Sequence, residues 1–163
     1  MNNLKERFIR YAKINTRSDE SSTTIPTTQS QVEFAKMLAQ ELKDLGLSEV
    51  VHNQENGFVT ATLPSNVDYP VDTIGFIAHF DTADFNSENV QPQVVSDYDG
   101  KDIILNKNHD IVMKVSDFPN LKNYIGHTLI TTDGTTLLGA DDKAGLSEII
   151  EAMIFFLENP EVK

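Results

Sequence analysis

The order of apolar and polar positions predicts a chain of mixed helices and strands. Between residues 3 and 14, Leu4, Phe8, Ile9, Tyr11 and Ala12 fall close to one helical stripe, with Lys5, Glu6 and Arg10 outside it. That is the spacing of an amphipathic helix, ending near Asn15. From Thr16 to Thr28 the chain is rich in Ser, Thr and Asp with one proline; short polar side chains of this kind bond to the local backbone in place of a helix ladder, so a loop is expected. A second helix is expected to open near Ser30, because Val32, Phe34, Ala35, Leu38, Ala39, Leu42 and Leu45 recur at helical spacing and Gly46 offers a stop.

From Glu49 the period changes to two. Val50-Val51 and Phe58 to Leu63 read as the arms of a hairpin around Asn56-Gly57, ending at Pro64. Asp72 to Ala78 is apolar on both faces, which suits a central strand covered by helices on each side. Residues 84–128 carry short β-like pieces, Ile103 to Leu105 and Ile111 to Met113, among Asn, Asp, Gly and Pro. They read as an insertion bearing hairpins, followed by a strand over 128–131. Asp142 to Asn159 is a nearly all-round apolar helix, with Ala144, Leu146, Ile149, Ile150, Met153, Ile154 and Leu157, and is expected to be deeply packed. The fold class expected is α/β: a mixed central sheet flanked by helices, with a hairpin-bearing insertion.

Composition narrows the function. The chain has 163 residues, with 25 acidic against 13 basic side chains, a net charge of −12. No basic stripe is present, so phosphate-backbone binding is not expected and nucleic acid is set aside as a partner. No apolar run approaches the ~20 residues needed to cross a bilayer, and the opening MNNLKERFIRYAK carries charge instead of an apolar signal core. A cytoplasmic protein without membrane partners is expected. The lack of cysteine leaves only His, Asp and Glu to hold a metal.

Two motifs could carry chemistry. In Ala78-His79-Phe80-Asp81, directly after the apolar run, residues two apart on an extended chain face the same way, so the His79 imidazole and Asp81 carboxylate can emerge together. A carboxylate that accepts one ring N–H leaves the other nitrogen for a metal or a proton. A purely structural histidine is the alternative. In Gly139-Ala140-Asp141-Asp142-Lys143-Ala144-Gly145, plain helix capping is one reading of the aspartates. The other is that two adjacent carboxylates, which repel, are reconciled by a cation. His52, near a strand end, His109, in an Asn-rich turn, and His127, beside a glycine, read as structural or solvated.

The strings GFIAHFDTADF and NYIGHTLITTDGTTLLGADDKAG resemble the peptidase T family of tripeptide aminopeptidases, within the di-zinc exopeptidase clan. The resemblance spans essentially the whole chain. It implies that His79 is a zinc ligand, that Asp81 is a catalytic residue which orients it, and that Asp141 bridges two zinc ions, with a cis peptide bond at Asp141-Asp142. It also implies metal-assisted hydrolysis of the first peptide bond of tripeptides. Related activities of the clan, a dipeptidase or an N-acyl amino acid deacylase, stay open, as does a non-catalytic piece. Family members are more than twice as long and carry further ligands, a general base and a lid domain. Residues 1–163 are therefore expected to be a partial catalytic domain, inactive alone and prone to self-association.

Overall fold

A computed structural model of the chain describes residues 4–163; Asn3, the first residue of the expected opening helix, lies outside the described residues. The chain forms two compact units, one made of the residues up to Asp84 together with Gly139–Lys163, the other of Phe85–Leu138.

The first unit contains three helices, α1 (Leu4–Ala12), α2 (Gln29–Asp44) and α3 (Ala140–Glu158), and a hairpin of β1 (Ser48–His52) and β2 (Val59–Thr62). Its core gathers the helical stripes: Tyr11 from α1, Phe34, Leu38 and Leu42 from α2, Leu146 and Ile150 from α3, with Leu47 at the hairpin entrance. Tyr11 and Phe34 meet edge to face at 5.4 Å between ring centroids, and Phe80 lies against Phe34 at 5.0 Å. In the hairpin, Val51 pairs with Thr60 and His52 with Val59, with a bulge toward Ser48. Gly57 takes φ of +76° at the tip, and a Cβ there would come within 2.5 Å of Pro26 Cγ, so no other residue fits without displacing the proline ring.

The second unit pairs β3 (Gln93–Val95) with β6 (Leu129–Thr131), and β4 (Ile103–Asn106) with β5 (Ile111–Met113), all antiparallel, around a 3-10 turn at Pro119–Tyr124. Val90, Tyr98 and Ile103 are buried in it. The β4–β5 hairpin is the one expected inside the insertion. The unit runs on to Leu138, because the strand after residue 128 pairs with β3.

The helix and strand content of an α/β chain is as expected, but the sheet differs from the expectation. The described residues form three two-stranded antiparallel sheets and one isolated parallel bridge, Arg17 with Thr82, instead of one central mixed sheet. Residues 72–78 have no ladder partner, and Ile74, Phe76 and Ile77 are 76%, 72% and 95% exposed. An apolar run supplies the side chains of a covered strand, but a strand also needs backbone neighbours on its edges, and none runs beside it among the described residues. The deep packing expected of α3 holds for its first half only. Phe156 and Leu157 are exposed, while Lys143, Leu146, Ser147 and Ile150 form its buried stripe.

A buried polar cluster fastens α1 to the other helices. The Arg7 guanidinium, 7% exposed, donates from Nε to Glu151 Oε1 at 2.7 Å and also pairs with Glu41. Arg10 reaches both Glu41 oxygens at 2.6 and 3.0 Å, and the Tyr11 hydroxyl donates to the same carboxylate at 2.9 Å. Burial works to raise the Glu41 pKa, yet the hydrogen bonds from Arg10 and Tyr11 and the positive charge of both arginines outweigh it and hold the group below its ordinary value. A carboxylate held low in the folded state contributes stability that is complete above its unfolded pKa and is lost as pH falls through the folded one. We therefore expect Glu41→Gln to lower unfolding free energy by about 3 kcal/mol at neutral pH, the cost of taking the shared carboxylate from Arg7 and Arg10. In urea titrations the gap from wild type should close as pH falls below the ordinary range of a glutamate carboxyl.

Candidate metal centre

The loop after α1 and the segment before Asp84 are bound together. Thr82 N–H donates to Thr16 O at 3.1 Å, Ser18 N–H donates to Thr82 O at 2.9 Å, and the Thr16 hydroxyl donates to Phe80 O at 2.6 Å. Under this clamp the backbone alternates as an extended chain does: Ala78 and Phe80 pack toward the core, Thr82 is buried, and His79 and Asp81 face outward between them. The two outward side chains lie together, as the sequence spacing predicts.

The imidazole sits between two acidic residues. Its Nδ1 hydrogen-bonds the backbone oxygen of Asp81 at 3.0 Å, and Asp81 Oδ1 lies 3.3 Å away as a neighbouring charge. The backbone oxygen, which spacing alone does not reveal, is the nearer partner. On the opposite side, Nε2 is 3.0 Å from Asp141 Oδ1, contributed from 62 residues along the chain. Partial burial works to lower the His79 pKa, but the bond to Asp81 and the charges of Asp81 and Asp141 win and raise it.

Asp141 is placed by the entrance to α3. Gly139, in the left-handed region at φ +74°, turns the chain into the helix. Asp141 and Asp142 keep non-helical dihedrals, and the peptide bond joining them is cis, as the resemblance implies. The neighbours then divide the work. The Asp142 carboxylate accepts the Gly145 N–H at 3.1 Å and so caps the helix, whereas the Asp141 carboxylate is left 95% exposed and points at His79. The capping reading thus holds for Asp142, and Asp141 takes no part in the cap.

Two buried polar residues here escaped the sequence reading. Lys143 is 2% exposed and donates from Nζ to Ile14 O at 2.7 Å, joining the start of α3 to the end of α1; burial pushes its ammonium down to about 8. Gln31 is 3% exposed and binds the clamped loop. Each occupies a position on an otherwise apolar stripe, Lys143 with Leu146 and Ile150, Gln31 with Phe34, Ala35 and Leu38, and a polar residue on such a stripe was the available signal. Of the remaining histidines, His127 stands edge-on to Tyr124 at 6.1 Å and His52 lies in β1.

One imidazole nitrogen and one exposed carboxylate converging from separate elements suit a borderline or hard cation. In kind the donors fit. In number they fall short: zinc takes three protein ligands plus water, or four, and no group of three or more His, Asp or Glu that could hold a metal occurs among the described residues. No helix among them is long and apolar enough to cross a membrane.

No protein-family profile matches the chain. It is similar to the peptidase T of Fusobacterium nucleatum, at 66% identity over 160 residues, which are 98% of this chain and 39% of that protein. The peptidase T of Enterococcus faecalis is 60% identical over 162 residues, 99% of this chain and 40% of its own length. That of Caldanaerobacter subterraneus is 56% identical over 164 residues, 100% and 40%. The chain spans about two-fifths of the length of the curated relatives it matches.

The capping geometry makes a checkable claim about Gly145. An alanine inside a helix is ordinarily worth about 1 kcal/mol over glycine, but a Cβ at 145 would lie 2.5 Å from Asp142 Oδ1. The cap would have to turn away, at a cost of about 1 kcal/mol. Gly145→Ala is expected to bring no gain in thermal unfolding, and a clear rise in Tm would show that Asp142 is not held as described.

Proposed function

We propose, for a chain that belongs to the peptidase T family over the stretch it spans, that His79 and Asp141 are metal ligands, and Asp81 a catalytic-site carboxylate, of a zinc-dependent aminopeptidase that releases the N-terminal residue of tripeptides. The observation that carries the reading is the 3.0 Å approach of His79 Nε2 to Asp141 Oδ1, with Asp81 on the opposite ring nitrogen. Bound zinc, two ions in the complete site, would polarise the scissile carbonyl and lower the pKa of a water. The chain's own residues have simpler tasks. The Asp81 backbone oxygen accepts the Nδ1 proton and its carboxylate stands beside the same nitrogen, which fixes the ring and would leave Nε2 for the metal. Asp141, exposed and free of the capping duty that Asp142 performs, would offer its carboxylate to the metal beside His79. The acidic surplus of the chain would draw the free ammonium of a peptide substrate. A cytoplasmic setting, with no nucleic-acid or membrane partner, accompanies this reading.

His79 and Asp141 are fewer donors than either ion requires, so the residues that complete the site belong to the part of the family's length that this chain does not span. The 163-residue chain alone is then inactive and holds zinc weakly. Its exposed Ile74, Phe76 and Ile77 favour self-association.

In a full-length peptidase T carrying this sequence, Asp81→Ala should lower turnover roughly 10- to 100-fold at saturating zinc with the metal still bound; wild-type turnover would remove Asp81 from the site. For the isolated chain, metal analysis after dialysis and light scattering should give substoichiometric zinc and a mass above that of a monomer. Stoichiometric retained zinc would contradict the ligand count.

A further inference from the structure

The geometry points to Lys143 as a positioning residue that, together with Gly139, pins the turn presenting Asp141 to the segment presenting His79. That the pair so placed holds zinc rests on the function proposed above, whereas the pinning does not.

The turn is held on both sides of Asp141. Two residues before it, Gly139 lies against Thr82: a Cβ there would stand 3.0 Å from Thr82 Cγ2, and the backbone is in the left-handed region at φ +74°. Two residues after it, Lys143 Nζ donates to Ile14 O at 2.7 Å. Among the described residues, and apart from the His79–Asp141 pair itself, this is the one hydrogen bond between residues 139–143 and the stretches 14–18 and 80–82. The Ser147 hydroxyl, fully buried, donates to Lys143 O at 2.7 Å and steadies the first turn of α3 from the other side.

Both anchor points belong to the frame that carries His79. Thr16, two residues after Ile14, donates its hydroxyl to Phe80 O at 2.6 Å and accepts the Thr82 N–H on its carbonyl at 3.1 Å. From Asp141 the path to His79 thus runs through two residues of backbone, the Lys143–Ile14 bond, two more residues and the Thr16–Phe80 bond. What this path fixes is where the two backbones stand; the His79 ring is turned by its own bond to Asp81 O. Between backbones so placed, Nε2 and Asp141 Oδ1 meet at 3.0 Å.

Stability does not account for a lysine here. Its side chain is 2% exposed, on the stripe with Leu146 and Ile150, and no carboxylate pairs with it among the described residues. Its ammonium has a single carbonyl and the face of Phe34, 5.8 Å from the ring centroid. A buried cation without a counter-charge is unfavourable, and an apolar side chain of similar length is commonly as stable or more so. What lysine alone supplies is the reach to Ile14 O. The other ties of α3 to α1, such as Glu151 with Arg7, lie two turns or more further along the helix.

The test compares wild type, Lys143→Met, Gly139→Ala and, as a control that loosens α3 away from the turn, Ile150→Val. In the chain without added metal, nuclear Overhauser contacts between the His79 ring protons and the Asp141 methylene report the separation directly. Lys143→Met is expected to keep the Tm of wild type and lose these contacts. Gly139→Ala, which displaces the other anchor, should lose them too. Ile150→Val should melt about 3 °C lower and keep them. In the full-length protein, zinc affinity should fall roughly 10-fold in Lys143→Met. Wild-type contacts in Lys143→Met or Gly139→Ala would overturn the proposal, as would their loss in Ile150→Val. A Lys143→Met chain that no longer folds would show the lysine to serve the whole fold and would overturn it equally. Lost contacts with wild-type zinc affinity would uphold the pinning and refute Asp141 as a ligand instead.

Discussion

Three backbone-directed hydrogen bonds hold residues 16–18 against residues 80–82, and the geometry at His79 depends on them. Without the clamp, the segment from Asp72 to Asp81 has no ladder among the described residues, and nothing would enforce the alternation that turns Phe80 inward and His79 outward. One short parallel bridge performs the task that a sheet performs elsewhere. It can do so because its polar side chains are bonded in turn: Thr16 to the Phe80 carbonyl, Thr28 to the Arg17 carbonyl, and Gln31 to Thr16 and Ser18. The loop that the sequence marks as merely polar is in effect a second support for the site.

A comparable logic governs the helices. α1 is a short helix, and nine residues hold poorly by propensity alone. Its retention comes from burying Phe8, Tyr11 and Ala12 and from anchoring Arg7 and Arg10 on Glu41. Two guanidinium groups against one shared carboxylate, with Glu151 taking the remaining Nε–H of Arg7, leave the charges compensated at the place where three helices meet. Lys143, tied to the carbonyl of Ile14, extends this anchoring to the very turn that presents Asp141.

What could be read from sequence was local. Stripes at helical spacing located α1, α2 and α3, and the Asn-Gly pair located the hairpin, because both depend on residues a few positions apart. The side-by-side placement of His79 and Asp81 followed from the two-residue period of extended backbone. The central strand did not, since the apolar run over 72–78 encodes a covered segment while the ladder depends on neighbours that no short window contains. The meeting of His79 with Asp141 was implied by resemblance and not by spacing, as the two are separated by the entire second unit. Gln31 and Lys143 went unremarked because their apolar neighbours dominated the helical pattern.

The segment from Leu63 to Ala78 has one more consequence, for handling the molecule. It bends at residues 67–69, carries the exposed apolar side chains of Ile74, Phe76 and Ile77 beyond the bend, and has no ladder partner among the described residues. A protease binds its substrate in this form, as a single strand whose amides and carbonyls it can pair with its own. Digestion would accordingly open the chain first between the β1–β2 hairpin and His79. The Thr16–Thr82 clamp would keep the cut ends in place, so that a nicked molecule could pass for an intact one until it was denatured.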